Sequence, residues 1–435
     1  MIMKTKNDIS KFIVLGLDGA CPDVFEEKLA QGKMPNLKKL KEQGCWGDNI
    51  PFPSAVTPGN WTSIATGSKP ATHGISDFTM HKVGAPLDER HGVFTKDVNN
   101  LAEFAWDGYS KRGLKVASIA YPGSLPHTEK NHLAIGNSGM PAENAEPYTI
   151  SPSRALVAGS LNPVGPYNWE EHEKVELQPT NEELDVADFT PKYFIDISLE
   201  ARNPGFTGKH PLRFYLGTSQ EKAAGVLCYQ DEKILFGLQE WTPFLDFSFS
   251  NGTEIIGQAR MRITQADLSK GDLLLYISPV FPKYYFSSDR AITDKLRDKF
   301  GPYSDNIPGS RFLMGWIDDQ AFEDETRLQG IWEAKAAVEL INNYGFQGVF
   351  TKWHAFDKFY HSYMQKIDPI APGHCPDEFQ RYEKLHDMLI ETADEMIGIV
   401  MDGMDKDTTL VVISDHGLMA SRKAVWVNRL LAQKG

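Results

Sequence analysis

"FIVLGLDGA", residues 12–20, runs through six apolar or glycine positions and turns polar only at Asp18. A surface helix would show an apolar residue every three or four positions, and a half-buried strand every second one. A continuous run that stops at an Asp-Gly step reads instead as a parallel strand covered on both faces. Helical signals follow in "PDVFEEKLAQG" (22–32) and "MPNLKKLKEQG" (34–44), each closed by glycine. "LAEFAWDGYSKRG" (101–113) leads into a second buried strand, "LKVASIAYP" (114–122). "GFQGVFTKW" (345–353) and "TTLVVISDHG" (408–417) repeat the pattern near the other end of the chain. Between those two, Leu385, Met388, Leu389, Ala393, Met396, Ile397 and Val400 share one helical face. The alternation predicts an α/β fold, a mostly parallel central sheet with helices on both faces.

The texture changes between about residues 150 and 310. "PLRFYLGTS" (211–219), "AAGVLCYQDEKILFGLQ" (223–239), "FLDFSFSNGTEIIGQARMRITQ" (244–265) and "GDLLLYIS" (271–278) read as short strands, with a hairpin at "CYQDEKIL". The expected organisation is a core of residues 1–150 and 310–435, with a β-rich insert or cap at 151–309. Pro and Gly are dense over residues 139–166, as suits a linker.

Composition narrows the partners. Of 435 residues, 45 are Lys or Arg and 58 are Asp or Glu, a net charge of -13 with no basic block. That argues against nucleic acid polymers and anionic membranes, yet a local metal can still draw small anions. The four cysteines, Cys21, Cys45, Cys228 and Cys375, form no C-x-x-C pair, and the first apolar run is too short for a signal peptide or a membrane span. The expected location is cytoplasmic. No P-loop, G-x-G-x-x-G or G-x-S-x-G pattern is present.

Four places share one property: Asp18 ends the first strand, Asp415-His416 ends "LVVIS", Asp357 and His361 follow "GVFT", and Thr57 opens a helix. Sites in open α/β sheets form beyond the carboxyl ends of strands, so all four can meet on one edge. Asp357 and His361 stand at i and i+4, on one face of a helical turn. Asp415 and His416 would point oppositely on a continuing strand, so both serve one site only where the chain leaves the strand, which Gly417 allows. Carboxylates with imidazoles are a ligand set for zinc or manganese. Each piece also has a plain structural reading. Thr57 with Pro58 can be an N-cap followed by a first-turn proline, and Asp415-His416-Gly417 can be a strand-end turn.

In this order the motifs "LGLDGA" (15–20), "TPGNWTSIATG" (57–67), "KPATHGI" (69–75), "AFDKFYH" (355–361) and "SDHGL" (414–418) resemble the alkaline phosphatase superfamily, and within it the type I phosphodiesterase/nucleotide pyrophosphatase family. The resemblance implies two divalent metal ions, zinc or manganese. One would be held by Asp18, Thr57, Asp415 and His416, the second by Asp357 and His361. It implies Thr57 as nucleophile and Asn60 as a donor to a non-bridging phosphoryl oxygen. His73 falls in a structural turn, and His354 matches no ligand position and is expected to be a packing or surface residue. A neutral Asn60 suits a phosphodiester or nucleotide pyrophosphate, a small phosphorylated substrate. A phosphomonoesterase, phosphonate hydrolase, phosphomutase or non-catalytic relative is the alternative. The family pattern carries one more histidine after Asp-His-Gly; none follows His416 here. The expectation is therefore a truncated C-terminal end and a second metal with two protein ligands.

Overall fold

The computed structural model describes residues 10–82, 84–86, 88–94, 100–124, 130–136, 149–163, 165, 170–283, 287–303, 309–372, 374–421, 423 and 425–434. Five parallel strands form the central sheet in the spatial order Thr408–Ile413, Lys11–Leu17, Gly348–Trp353, Val116–Ile119 and His132–Ile135. The first strand thus lies between the two that arrive last in the chain.

Both faces of the sheet are covered, which is why its strands read as unbroken apolar runs. Ile13, Leu15, Leu17, Val349 and Trp353 point into one cluster, shared with the helices Pro22–Ala30, Pro35–Gln43, Asp319–Asn343, Ala355–Ile367 and Pro376–Gly403. All seven apolar residues read as one helical face lie on Pro376–Gly403 and are buried there. Val14, Val116 and Phe350 point the other way, onto Trp61 and Ala65 of the helix Thr57–Thr66 and Trp106 of Ala105–Lys111. Gly16 permits that second layer to close in. A Cβ on it would lie 2.5 Å from the Thr351 carbonyl oxygen and 2.6 Å from the Trp61 ring.

Antiparallel strands fill much of residues 154–282. One sheet runs Glu232–Gly237, Lys222–Tyr229, Lys209–Ser219, Phe189–Glu200, Gln178–Pro179, and the Tyr229↔Glu232 register closes the expected hairpin. Two smaller sheets contain Met261–Asp267, Asp272–Ile277 and Arg154–Ala158, and Leu245–Ser250 with Glu254–Ala259. These strands bury a cluster of their own around Phe214, Phe247, Leu273 and Leu275. The helix Arg290–Phe300 lies inside the span read as an insert, yet it buries Leu296 in the cluster of the central sheet. Arg260 and Arg262 join the two regions through Glu325 and Asp318, at the start of the Asp319–Asn343 helix. Among the described residues no helix is long and apolar enough to cross a membrane.

Candidate active site

Strand register brings the motif residues together. Leu17 pairs with Trp353 and Gly16 with Ile413, so the three adjacent strands end level. The segments beyond them are then stitched by the backbone. Asp18 N–H donates to the Trp353 carbonyl (2.9 Å), Asp357 N–H to the Asp18 carbonyl (3.0 Å), and Gly19 N–H to Asp415 Oδ1 (3.3 Å). Gly19 has a φ of +77°, and a Cβ there would lie 2.8 Å from the Asp357 Cα. The Asp-Gly step that ends the first strand is therefore required twice over, by the turn and by the close approach.

The side chains converge on a buried cluster. Donor atoms of Asp18, Asp357 and His416 all lie within 4.8 Å of one another. The trio draws from both of the ligand groups that the resemblance implied, and Asp415 and His361 flank it. His416 Nε2 lies 3.2 Å from Thr57 Oγ1, 3.3 Å from Asp415 Oδ2 and 3.8 Å from Asp18 Oδ1. Its Nδ1 is 3.2 Å from the Gly417 carbonyl, so Nδ1 carries a proton and donates it there. The strand ends at Ile413, and the chain bends at Asp415, so Asp415 and His416 both turn inward. His361 is 66% exposed at the rim and pairs with Asp357 Oδ1 at 3.2 Å.

Thr57 corrects the capping alternative. Val56 is the N-cap, with extended backbone and no side-chain cap, and Pro58 occupies the first turn one place later than expected. The Thr57 hydroxyl is buried and directed to His416 instead. Asn60 is partly committed: its Oδ1 accepts from Phe52 N–H (2.9 Å) and its Nδ2 donates to the Val56 carbonyl (3.2 Å). One amide hydrogen remains. Asn60 N–H is likewise engaged by Val56, at 3.2 Å. His73 is buried away from the carboxylates. It takes a hydrogen bond from Ile75 N–H on Nδ1 and reaches Ser63 Oγ with Nε2, tying the next turn to the Thr57 helix.

His354 was expected to be a packing or surface residue; the structure places it in the cluster. Its Nε2 lies 2.8 Å from Asp357 Oδ2 and 3.6 Å from Asp18 Oδ2. Because Leu17 is level with Trp353, His354 is level with Asp18, a strand-end position like those of Asp18 and Asp415. Lys352 also escaped notice. It is buried, with Nζ 3.2 Å from Asp18 Oδ2, and a lysine inside "GVFTKW" was the signal.

Electrostatics divide the carboxylates. Burial, followed by the neighbouring Asp18, pushes Asp415 well above the usual carboxylate range. Burial acts on Asp357 in the same sense, but hydrogen bonds from His354 and His361 outweigh it and hold Asp357 well below that range. His361 is raised by the same bond, against burial, while burial and then Lys352 hold His354 below its ordinary value. Asp18 Oδ1, Asp357 Oδ1 and Asp415 Oδ2 are buried and accept no hydrogen bond of good geometry from the described residues, although His361 Nε2 lies 3.2 Å from Asp357 Oδ1 and His416 Nε2 3.3 Å from Asp415 Oδ2. The donor set and its orphaned oxygens therefore fit a divalent metal.

A parallel sheet with a carboxylate–imidazole cluster beyond its carboxyl edge is the class of architecture that holds the motifs of this chain. The profile of the type I phosphodiesterase / nucleotide pyrophosphatase family matches residues 12–215 and 253–435, and the chain belongs to that family. No curated protein matches it. Phosphonoacetate hydrolase from Sinorhizobium meliloti 1021, in crystal structures with phosphonoacetate and with phosphonoformate, is similar at 15% identity and a TM-score of 0.40 in each case. The superposition covers 98% of this chain and 62% of that one, so the chain spans less than two thirds of the length of the hydrolase.

Proposed function

We propose that the chain hydrolyses a phosphodiester or nucleotide pyrophosphate with Thr57 as the nucleophile. The observation that carries this reading is the 3.2 Å approach of Thr57 Oγ1 to His416 Nε2, at the edge where three carboxyl groups meet. Asp18, Thr57, Asp415 and His416 are the residues to hold one metal ion and Asp357 and His361 a second, zinc or manganese. Such ions, when bound, supply Lewis acidity toward the phosphoryl oxygens and lower the pKa of coordinated groups. Asp357, His354 and Asp18 lie close enough to serve the same centre.

Thr57 gives up its hydroxyl proton and Oγ attacks phosphorus, the alcohol or phosphate leaving group departs in line and takes up a proton, and a threonyl phosphodiester remains on Thr57. Water then attacks phosphorus from the opposite side, and the Thr57 oxygen leaves. The remaining Asn60 amide hydrogen donates to an equatorial oxygen; being neutral, it favours the single negative charge of a diester over a doubly charged monoester. In the same reading, residues 1–150 and 310–435 are the catalytic unit, and the β-rich 151–309 span limits the leaving groups that can enter.

Turnover of bis(4-nitrophenyl) phosphate against 4-nitrophenyl phosphate, with zinc or manganese supplied, tests the assignment. Diester turnover at least tenfold above monoester turnover, abolished by chelation, is expected. Equal or better monoester turnover overturns it.

A further inference from the structure

Lys352 is a charged residue in a place made for an apolar one. It sits opposite Gly16 in a central strand covered on both faces, and its side chain is 1% exposed. A buried ammonium group is retained only against compensating charge. Its ion-pair partner is Asp18 Oδ2, and Nζ makes no hydrogen bond of good geometry with the described residues. The same oxygen receives the Trp61 Nε1–H at 3.3 Å. The other oxygen, Oδ1, has no donor and lies on the His416 side. Asp18 is thus gripped by one oxygen and offered by the other. The reaction above uses the offered oxygen and gives Lys352 nothing to do.

We propose that Lys352 is the resident counter-ion of the metal centre: its fixed positive charge balances the clustered carboxylates while no metal is bound, and opposes the metal once it arrives. This rests on the metal-centre reading above. Three carboxylates, Asp18, Asp357 and Asp415, are buried together. Charge is poorly screened there; Asp415, its pKa pushed up by burial and by Asp18, relieves part of the repulsion by keeping a proton, and Lys352 offsets what remains.

Two effects of removing Lys352 compete. Loss of a group that orients a ligand usually weakens metal binding by about 10–100-fold. Loss of a like charge beneath the ligand strengthens it. Here orientation is over-determined. Trp61 keeps its hold on Oδ2, and the Asp18 backbone is tied on one side to Trp353 and on the other to Asp357. The charge effect therefore dominates, and the variant binds metal more tightly than the wild type.

The test is calorimetric titration of the metal-free full chain with zinc and with manganese, for wild type, Lys352→Met and Lys352→Gln, alongside melting temperatures with and without metal. Both neutral variants are expected to bind the first ion at least tenfold more tightly. Their metal-free melting temperature falls by more than the metal-loaded one. A residue that only filled space would lower both temperatures equally and leave affinity unchanged, and a residue that only oriented Asp18 would weaken binding; either result overturns the proposal. Should the metal-free variants fail to fold, they are purified loaded and challenged with a chelator. Ion release about tenfold slower than from the wild type supports the proposal; equal or faster release overturns it. No metal uptake by the wild type removes the metal-centre reading and this inference with it, whereas uptake without tightening in the variants removes this inference alone.

Discussion

The parallel sheet and the antiparallel region both bury charge, and they treat it differently. In the antiparallel region Arg154 gives Nε and Nη2 to Glu173 (2.8 and 2.5 Å) and Nη1 to the Ser198 carbonyl (2.6 Å). Arg260 gives Nε and Nη2 to Glu325 while stacking over Trp241 at 4.1 Å. At the carboxyl edge of the parallel sheet, three buried carboxyl groups each keep an oxygen that accepts no well-aligned hydrogen bond from the described residues. Buried charge that is fully paired supports packing. Buried charge left half-paired in one small volume is costly, and such a cost persists where the groups await something else. Arg262 Nε in the antiparallel region also lacks an acceptor among the described residues, so it is the gathering of three such groups in one place that marks the site.

The largest effect that would break this comparison is at Thr57. Thr57→Ala is expected to lower diester turnover by on the order of 10⁴-fold or more, as loss of a nucleophile does elsewhere, with an unchanged circular dichroism spectrum. Retention of a tenth of the activity would return Thr57 to a structural role. In the paired region the expectation reverses. Glu325→Leu strands the Arg260 guanidinium and should cost about 3–5 kcal/mol in urea unfolding, while kcat of the remaining folded protein stays within about twofold. A larger change in kcat would mean that the junction between the regions shapes the site.

His386 sharpens the comparison within the parallel-sheet core. It is buried against Phe359 and Tyr360, whose hydroxyl lies 2.8 Å from Nε2. Burial, then the nearby Lys28, pushes its pKa down to about 4 from 6.5. The folded value lies below the unfolded one, so the unfolded chain binds the proton first. The stability it contributes is complete above pH 6.5 and is lost as the pH falls toward 4. The loss is about 3 kcal/mol. Unfolding midpoints between pH 7 and 4.5 should show that slope, and His386→Gln should flatten it; an equal slope in the variant would assign the acid sensitivity elsewhere. The smallest effect belongs to the surface. Arg213 and Asp196 on the five-stranded antiparallel sheet are 42% and 62% exposed and paired at 2.6 Å. Arg213→Ala should cost less than about 1 kcal/mol, and a cost above 2 kcal/mol would place that pair among the structural ones.

Much of the scaffold could be read from local pattern. Unbroken apolar runs mark strands covered twice, and the face carried by Leu385, Met388 and Leu389 marks a packed helix, because burial leaves a period in the chain. The expected hairpin at Cys228–Leu235 follows the same logic. Helix boundaries were less legible. A Thr-Pro pair fits either of two adjacent positions, and the cap fell on Val56, which freed the Thr57 hydroxyl to face His416. The helix Arg290–Phe300 was hidden in a strand-rich stretch, and only its packing on the central cluster shows which region it supports.

The sequence by itself determined the order of the motifs, the α/β alternation that sets them at strand ends, and the Asp357–His361 spacing that puts both on one helical face. These are properties of short segments, and the physics that produces them is local. Only the tertiary structure decided that Leu17 is level with Trp353, and hence that His354 and Lys352 flank Asp18. Register between strands more than three hundred residues apart is set by the packing of two helical layers against the sheet. No local period records it.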